Sequence, residues 1–310
     1  MDSPIRGIVL KCCSVIVFTM MAALVKTTSD GGLGIPAGQQ VFFRSFFAIP
    51  VIIVWLLWRG ELSVGLHTNR PMGHFYRGIV GTAAMGLNFW ALGLLAFPEA
   101  VAIGYAAPLL VVIFAAMFLN ENVRLFRLSM VALGLIGVLI VLSPQLGFGS
   151  VEPDVTQTLG AVVALCGAGC TALAQIFVRK MVQEERTSAI VFWFSATSSV
   201  LGLMTLPFNW VMPDAQTVAL LVTVGLLGGL GQIFLTSAYR FGEASLIAPF
   251  EYVSLLLSVA IGWFFFDEIA PPTMLAGAAL VILAGILIIW RERQLGLERN
   301  RQRKAMTPQG

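Results

Sequence analysis

Roughly ten apolar stretches, each about the length of a membrane-crossing helix, take up most of this 310-residue chain. They fall near 7–26, 38–58, 76–97, 99–119, 125–143, 157–178, 187–208, 215–239, 244–266 and 271–290. A spanning helix needs about 20 mostly apolar residues to cross a hydrocarbon core of ~30 Å. Alternation of apolar and polar residues is absent, and in lipid only helices or closed barrels satisfy the backbone. The expected fold class is therefore all-α and integral to the membrane. Hydrophobic residues make up 58% and charged residues 11% of the chain. Soluble domains carry roughly 45–50% apolar and about 25% charged residues. A water-soluble fold of this length has no means of hiding the excess.

Two charges, Arg44 and Glu251, stand inside the runs, and the remaining charge gathers at run ends. With the N-terminus in the cytoplasm, the inner loops hold Arg6, Lys11, Arg59, Arg70, Arg77, Arg124, Arg127, Arg179, Lys180, Arg186 and Arg240. Six further cations follow in the tail, leaving Lys26 outside and Arg44 within a span. Basic residues concentrate in cytoplasmic loops, so ten spans with both termini inside, in a cell inner membrane, is the expected topology. The basic tail 291–310 suits anionic lipid headgroups rather than nucleic acid. Cys12, Cys13, Cys166 and Cys170 all lie in apolar runs, where thiols act as small hydrophobes; neither disulfide nor metal is assigned to them. No cofactor or metal cluster is expected, and no cleavable leader is evident.

The chain looks duplicated. Glu99-Ala100 opens the fourth run and Glu243-Ala244 the ninth; each is followed by a proline, Pro108 or Pro249, and then by Asn120-Glu121 or Asp267-Glu268. Asn88 and Gln232 each stand eleven residues before the leading glutamate, and Gly134/Gly137 and Gly277/Gly285 follow downstream. Five spans per half is an odd number, so the halves are inverted relative to each other. Inverted repeats are the hallmark of secondary transporters, with the binding site near the midplane. The expected division is 1–143 for the first repeat, 144–156 for an outer linker, 157–290 for the second repeat, and the basic tail.

The segment from Pro98-Glu99-Ala100 through Pro108 to Asn120-Glu121 resembles the fourth-helix signature of the drug/metabolite transporter superfamily, EamA type. So does Ala248-Pro249-Phe250-Glu251-Tyr252 through Gly262-Trp263 to Asp267-Glu268, and so does Gln40-Val41-Phe42-Phe43-Arg44. The resemblance covers the whole chain. It implies a carrier of small molecules working by alternating access, with helices 1, 3, 4, 6, 8 and 9 around a central cavity. Riboflavin uptake is the leading expectation for the cargo; amino acids, S-adenosylmethionine-like metabolites and drugs are alternatives, in either direction. A homodimer is compatible with it.

The candidate substrate-binding residues are Arg44, Asn88, Trp90, Tyr105, Gln175, Gln232, Tyr239, Glu251 and Tyr252. Arg44 binds an anionic or carbonyl group or pairs with an acid if it faces the interior, and snorkels to headgroups if it does not. Glu251 either bonds to a neighbouring helix or serves as a protonatable group that couples transport to protons. The amides Asn88, Gln175 and Gln232 hold helices together or bind a polar cargo. Trp90, Tyr105, Trp193, Tyr239 and Tyr252 offer faces to a flat ring or belong to the interfacial aromatic belt. Pro108 and Pro249, in corresponding helices, are hinges or static kinks. An intramembrane enzyme would need a nucleophile–base pair or metal ligands at matching depth, and a receptor would need a soluble domain; neither pattern is present.

Overall fold

The computed structural model describes residues 4–30, 34–119, 125–144, 154–181, 184–241 and 248–306, and among these there is helix but no strand. The helices are α1 (Pro4–Asp30), α2 (Ala37–Phe46), α3 (Ala48–Trp58), α4 (Leu62–Gly65), α5 (Pro71–Leu92), α6 (Phe97–Gly104), α7 (Ala106–Leu119) and α8 (Leu125–Leu142). They continue as α9 (Val155–Met181), α10 (Thr187–Leu203), α11 (Ala215–Phe241), a 3-10 turn (Ala248–Tyr252), α12 (Val253–Phe266) and α13 (Pro272–Met306). Among the described residues, six stretches are long and apolar enough to cross a membrane: Ile5–Ser29, Ala37–Trp58, Phe97–Phe118, Val155–Val178, Ala215–Leu235 and Pro272–Arg291. Leu128–Leu142, Thr187–Leu203 and Phe250–Phe266 are apolar but shorter.

Proline positions explain where the helices break. A proline ring removes one hydrogen bond and collides with the carbonyl four residues earlier. Pro50 acts on Phe46, where α2 ends, and Pro108 acts on Gly104, where α6 ends. Pro98 behaves differently from what the runs 76–97 and 99–119 imply, since the gap between them puts a joint at Phe97-Pro98-Glu99. The joint is instead 93–96, and Pro98 lies in the first turn of α6, where a missing N–H costs nothing. Pro71 likewise sits in the first turn of α5, so that helix begins five residues before its apolar run. The last helix also runs beyond Trp290, through the basic tail to Met306.

Helix contacts come in related sets. α1 packs along α11, and α5 along α9; α10 touches α5, while α11 touches α2 and α3. α6 and α7 lie on α9, while the 3-10 turn and α12 lie on α1. The pairs α2 with α10, α6 with α12 and α8 with α13 complete the arrangement. Exchanging α1 with α9, α2–α3 with α10, α5 with α11, α6–α7 with the 3-10 turn and α12, and α8 with α13 maps this set onto itself. At the α8–α13 crossing the backbones nearly touch. A Cβ on Gly277 would meet the Gly137 carbonyl at 2.5 Å, and one on Gly137 would meet the Gly277 carbonyl at 2.7 Å.

The largest core cluster joins α6, α7, α8, α9, α12 and α13 around Ile103, Leu109, Val138, Ala164 and Val281. Large apolar side chains such as Val54, Leu57, Leu139, Val200, Phe264 and Phe265 face outward, which suits acyl chains as surroundings. The 59–75 segment is tied to the α9–α10 junction by Glu185. Its Oε1 accepts hydrogen bonds from Asn69 N–H (2.8 Å), Arg70 N–H (2.9 Å) and the Thr68 hydroxyl (3.0 Å). Burial pushes the Glu185 carboxyl up, but these bonds, with the nearby His74, outweigh it and hold it below the usual glutamate range.

Candidate functional site

Among the described residues, three clusters built on lysine or arginine interrupt the apolar interior. The first lies at one end of the bundle, where α1, the α5–α6 joint and the end of α12 meet. Lys26 is 4% exposed, and its Nζ lies 3.2 Å from Glu268 Oε1. The same ammonium donates to the carbonyls of Leu95 (2.8 Å) and Leu92 (3.4 Å) and lies 5.6 Å from the Phe266 ring centre. Glu268 Oε2 accepts the Phe97 N–H at 2.6 Å. An ion pair this enclosed, with its remaining donors and acceptors used, joins the three segments into a latch.

The second cluster lies about 22 Å away along α1, fifteen residues at 1.5 Å each. Lys11, 3% exposed, approaches Glu251 Oε2 at 3.5 Å, while the Glu251 side chain remains 42% exposed. Beside it, Tyr105 donates to the Glu251 carbonyl (3.1 Å), its hydroxyl is in contact with the Ser254 hydroxyl, and its ring centre lies 5.3 Å from that of Tyr252. Tyr105 ends α6 and Tyr252 ends the 3-10 turn, so each stands at a break in its helix pair.

Gln175 of α9 shares this depth. It is two turns beyond Ala168 and three beyond Ala164, on the face that those alanines bury, yet its own side chain is exposed. Gly160, against Leu95 at the latch end, precedes Gln175 by fifteen residues. The polar side chains at the Lys26 end are thus enclosed, whereas Glu251 and Gln175 at the Lys11 end are exposed.

The third cluster is at mid-depth. Phe194 lies in the middle of α10, and the guanidinium carbons of Arg44 and Arg77 lie 5.5 and 4.0 Å from its ring centre. Arg44 is 3% exposed and packs against Gly228 of α11; Arg77 packs against Gly81 of its own helix. On each guanidinium Nε and Nη1 are buried with no hydrogen-bond partner. Arg44 thus points into the bundle and not to headgroups, and Glu251 pairs with Lys11 rather than with Arg44.

The other candidates are dispersed. Asn88 donates to the Thr171 hydroxyl at 3.2 Å and fastens α5 to α9. Trp90 is exposed on a groove of about 400 Å³ between α2, α5 and α10, lined also by Val41, Thr82, Gly86 and Gly202. Gln232 is half-buried on α11. Trp193 donates its indole N–H to the Leu66 carbonyl (3.1 Å). Pro108 lies just past the α6–α7 break. The side chains of Tyr239 and Pro249, like Asn120, Glu121, Glu243 and Ala244, lie outside the described residues. All four cysteines are free, and Cys166 is exposed on the face of α9 that also exposes Val162 and Leu165.

The notion that only Arg44 and Glu251 carry charge at depth needs correction. Lys11 and Lys26 are buried within α1, and the Arg77 guanidinium lies inside the bundle although Arg77 was grouped with the inner loops. One signal was available for Arg77: a proline at 71 starts a helix, which places residue 77 nearly two turns inside it.

The model of the EamA-like transporter family matches residues 5–143 and again 158–290. A pseudopaline exporter of Pseudomonas aeruginosa is 28% identical over 91% of this chain and 95% of its own length. An S-adenosylmethionine uptake transporter of Rickettsia felis is 28% identical over 83% of this chain and 84% of its own. A riboflavin transporter of Rhizobium johnstonii is 28% identical over 84% and 83%. One solved crystal structure shares the fold, with a TM-score of 0.68 over 94% of this chain and 99% of that one at 19% identity.

Proposed function

From its membership of the EamA-like transporter family, we propose that this chain is a ten-helix secondary transporter whose two five-helix halves, 1–143 and 157–290, are inverted repeats that alternate access to a central site. The linker is 144–156, both termini and the basic tail 291–310 are cytoplasmic, and the membrane is the cell inner membrane. The observation that carries this is the contrast between the two ends of α1. Lys26 and Glu268 close one end, whereas Glu251 and Gln175 remain accessible at the other. The helix contacts that map onto themselves when the halves are exchanged support a two-state rocking motion. The Lys26 end is then the outer face, and the conformation is open inward. Pro108 and Pro249 flank the breaks at which the halves bend.

The cargo is a small polar or aromatic metabolite, and the work is transport rather than catalysis. Riboflavin uptake is the leading reading, supported by two relatives of that name at 28% and 26% identity. A second reading, cargo derived from an amino acid, is favoured by the buried Arg44 and the partly buried Arg77, and relatives named for S-adenosylmethionine accord with it. The deciding test is uptake of labelled riboflavin and of an amino-acid panel into cells lacking their own carriers, with and without an uncoupler. Riboflavin accumulation abolished by Arg44→Ala supports the first reading. Absence of riboflavin flux removes it.

A further inference from the structure

The Arg44–Arg77–Phe194 cluster is a costly way to hold helices together. A charge at the bilayer centre costs from ~3 to over 10 kcal/mol, and here two like charges share one aromatic ring. Among the described residues no carboxylate comes within 4 Å of either guanidinium. Cation–π contact contributes only about 2 kcal/mol when desolvated. Four buried nitrogens, Nε and Nη1 of each, lack partners, and Nη2 is the nitrogen of each that is not shut in.

We infer that Arg44 and Arg77 form a clasp for a carboxylate carried by the cargo. A guanidinium offers a planar fork of N–H donors that matches two carboxylate oxygens, which a lysine ammonium cannot do. A monoanion held between the forks leaves one net positive charge where there were two. The apolar groove around Trp90 begins one turn from Arg44, at Val41, and little more than a turn from Arg77, at Thr82. Its volume of about 400 Å³ is within the ~300–1,000 Å³ of small-molecule sites, and its lining includes neither arginine. The inference rests on the second cargo reading, a compound derived from an amino acid, because riboflavin carries no carboxylate.

The test uses the purified full-length chain in nanodiscs at pH 7 and constant ionic strength, with thermal unfolding as the readout. The probes are benzoate, its neutral isostere benzamide, and chloride. Benzoate binding to the folded state raises the midpoint, and benzamide and chloride do not. Arg44→Gln and Arg77→Gln each weaken the benzoate response roughly tenfold or more. Arg77→Gln also raises the anion-free midpoint, because it removes a like charge. Arg77→Lys, which keeps charge and volume but not the fork, keeps the fold and loses most of the response. A benzoate shift that is absent, equalled by chloride or benzamide, or unchanged in all three variants overturns the assignment. Flux of labelled cargo in vesicles is measured in parallel. Flux without a benzoate response sinks the clasp and leaves the transporter; a benzoate response without flux of any panel member does the reverse.

Discussion

Replacing Glu268 by glutamine removes the countercharge of a buried lysine while keeping the shape of the latch. At 3.2 Å and an effective dielectric of about 20, the pair attracts with about 5 kcal/mol. Lys26 would keep its bond to the Leu95 carbonyl (2.8 Å) and the Phe266 face (5.6 Å), so part of that is retained. Breaking a buried pair by removing one partner costs about 3–5 kcal/mol, and the lower figure applies here. If this loss falls on the closed state alone, about 3 kcal/mol shifts the closed-to-open ratio of the outer end by roughly a hundredfold. The assay is the rate at which an impermeant maleimide, added from the Lys26 side, labels a cysteine at Ala100 in a cysteine-free background. Ala100 lies one turn beyond Phe97 and packs against the core. The rate should rise by up to two decades in Glu268→Gln. It should return towards the parent in Lys26→Met/Glu268→Leu, since apolar replacement of both partners is often neutral. A Glu268→Gln rate within twofold of the parent refutes the latch.

Three further expectations follow from other contacts. Gly277→Ala sets a methyl against the Gly137 carbonyl and the Val141 N–H, backbone that cannot rotate away. It should cost about 1–3 kcal/mol by overpacking, and an unchanged unfolding midpoint would contradict the crossing. Glu185 has a folded-state value below its ordinary 4.5, so its contribution is present above that pH and is lost as pH falls through the depressed value. Glu185→Gln should therefore destabilise the 59–75 docking by about 1–3 kcal/mol at pH 7 and converge with the parent in acid; a pH-independent difference measured by proteolysis would refute this. If Glu251 carries the coupling proton, Glu251→Gln flattens the pH dependence of cargo flux, and an unaltered profile assigns Glu251 to packing with Lys11.

How far the sequence could be read depended on whether a feature was local. Arg44 was legible because a lone cation in the middle of an apolar run has to be explained by its own neighbours. Arg77 was not, since it stands at the edge of an apolar run, and only the helix start at Pro71 carries it inside. Pro98 was misread as a joint because proline interrupts a helix interior but is welcome in a first turn. Lys26 and Glu268 each stand at a run end, and nothing in the sequence joins them. They are 242 residues apart, and their pairing exists only because α1 and α12 pack side by side. The spacing of Pro108 and Pro249 pointed to corresponding helices, and Tyr105 and Tyr252 do meet there. That Tyr105 is buried with its hydroxyl occupied, whereas Glu251 beside it faces open space, depends on packing that no spacing encodes.

Alternating access is tested most directly by two distances measured together by spin-label spectroscopy in nanodiscs. One pair, at Leu94 and Ile269, spans the latch end; the other, at Arg6 and Lys180, spans the Lys11 end. When Glu268→Gln or bound cargo lengthens the first distance, the second should shorten in the same molecules. If both ends widen together, or if neither moves while flux continues, the two halves do not rock about a central site.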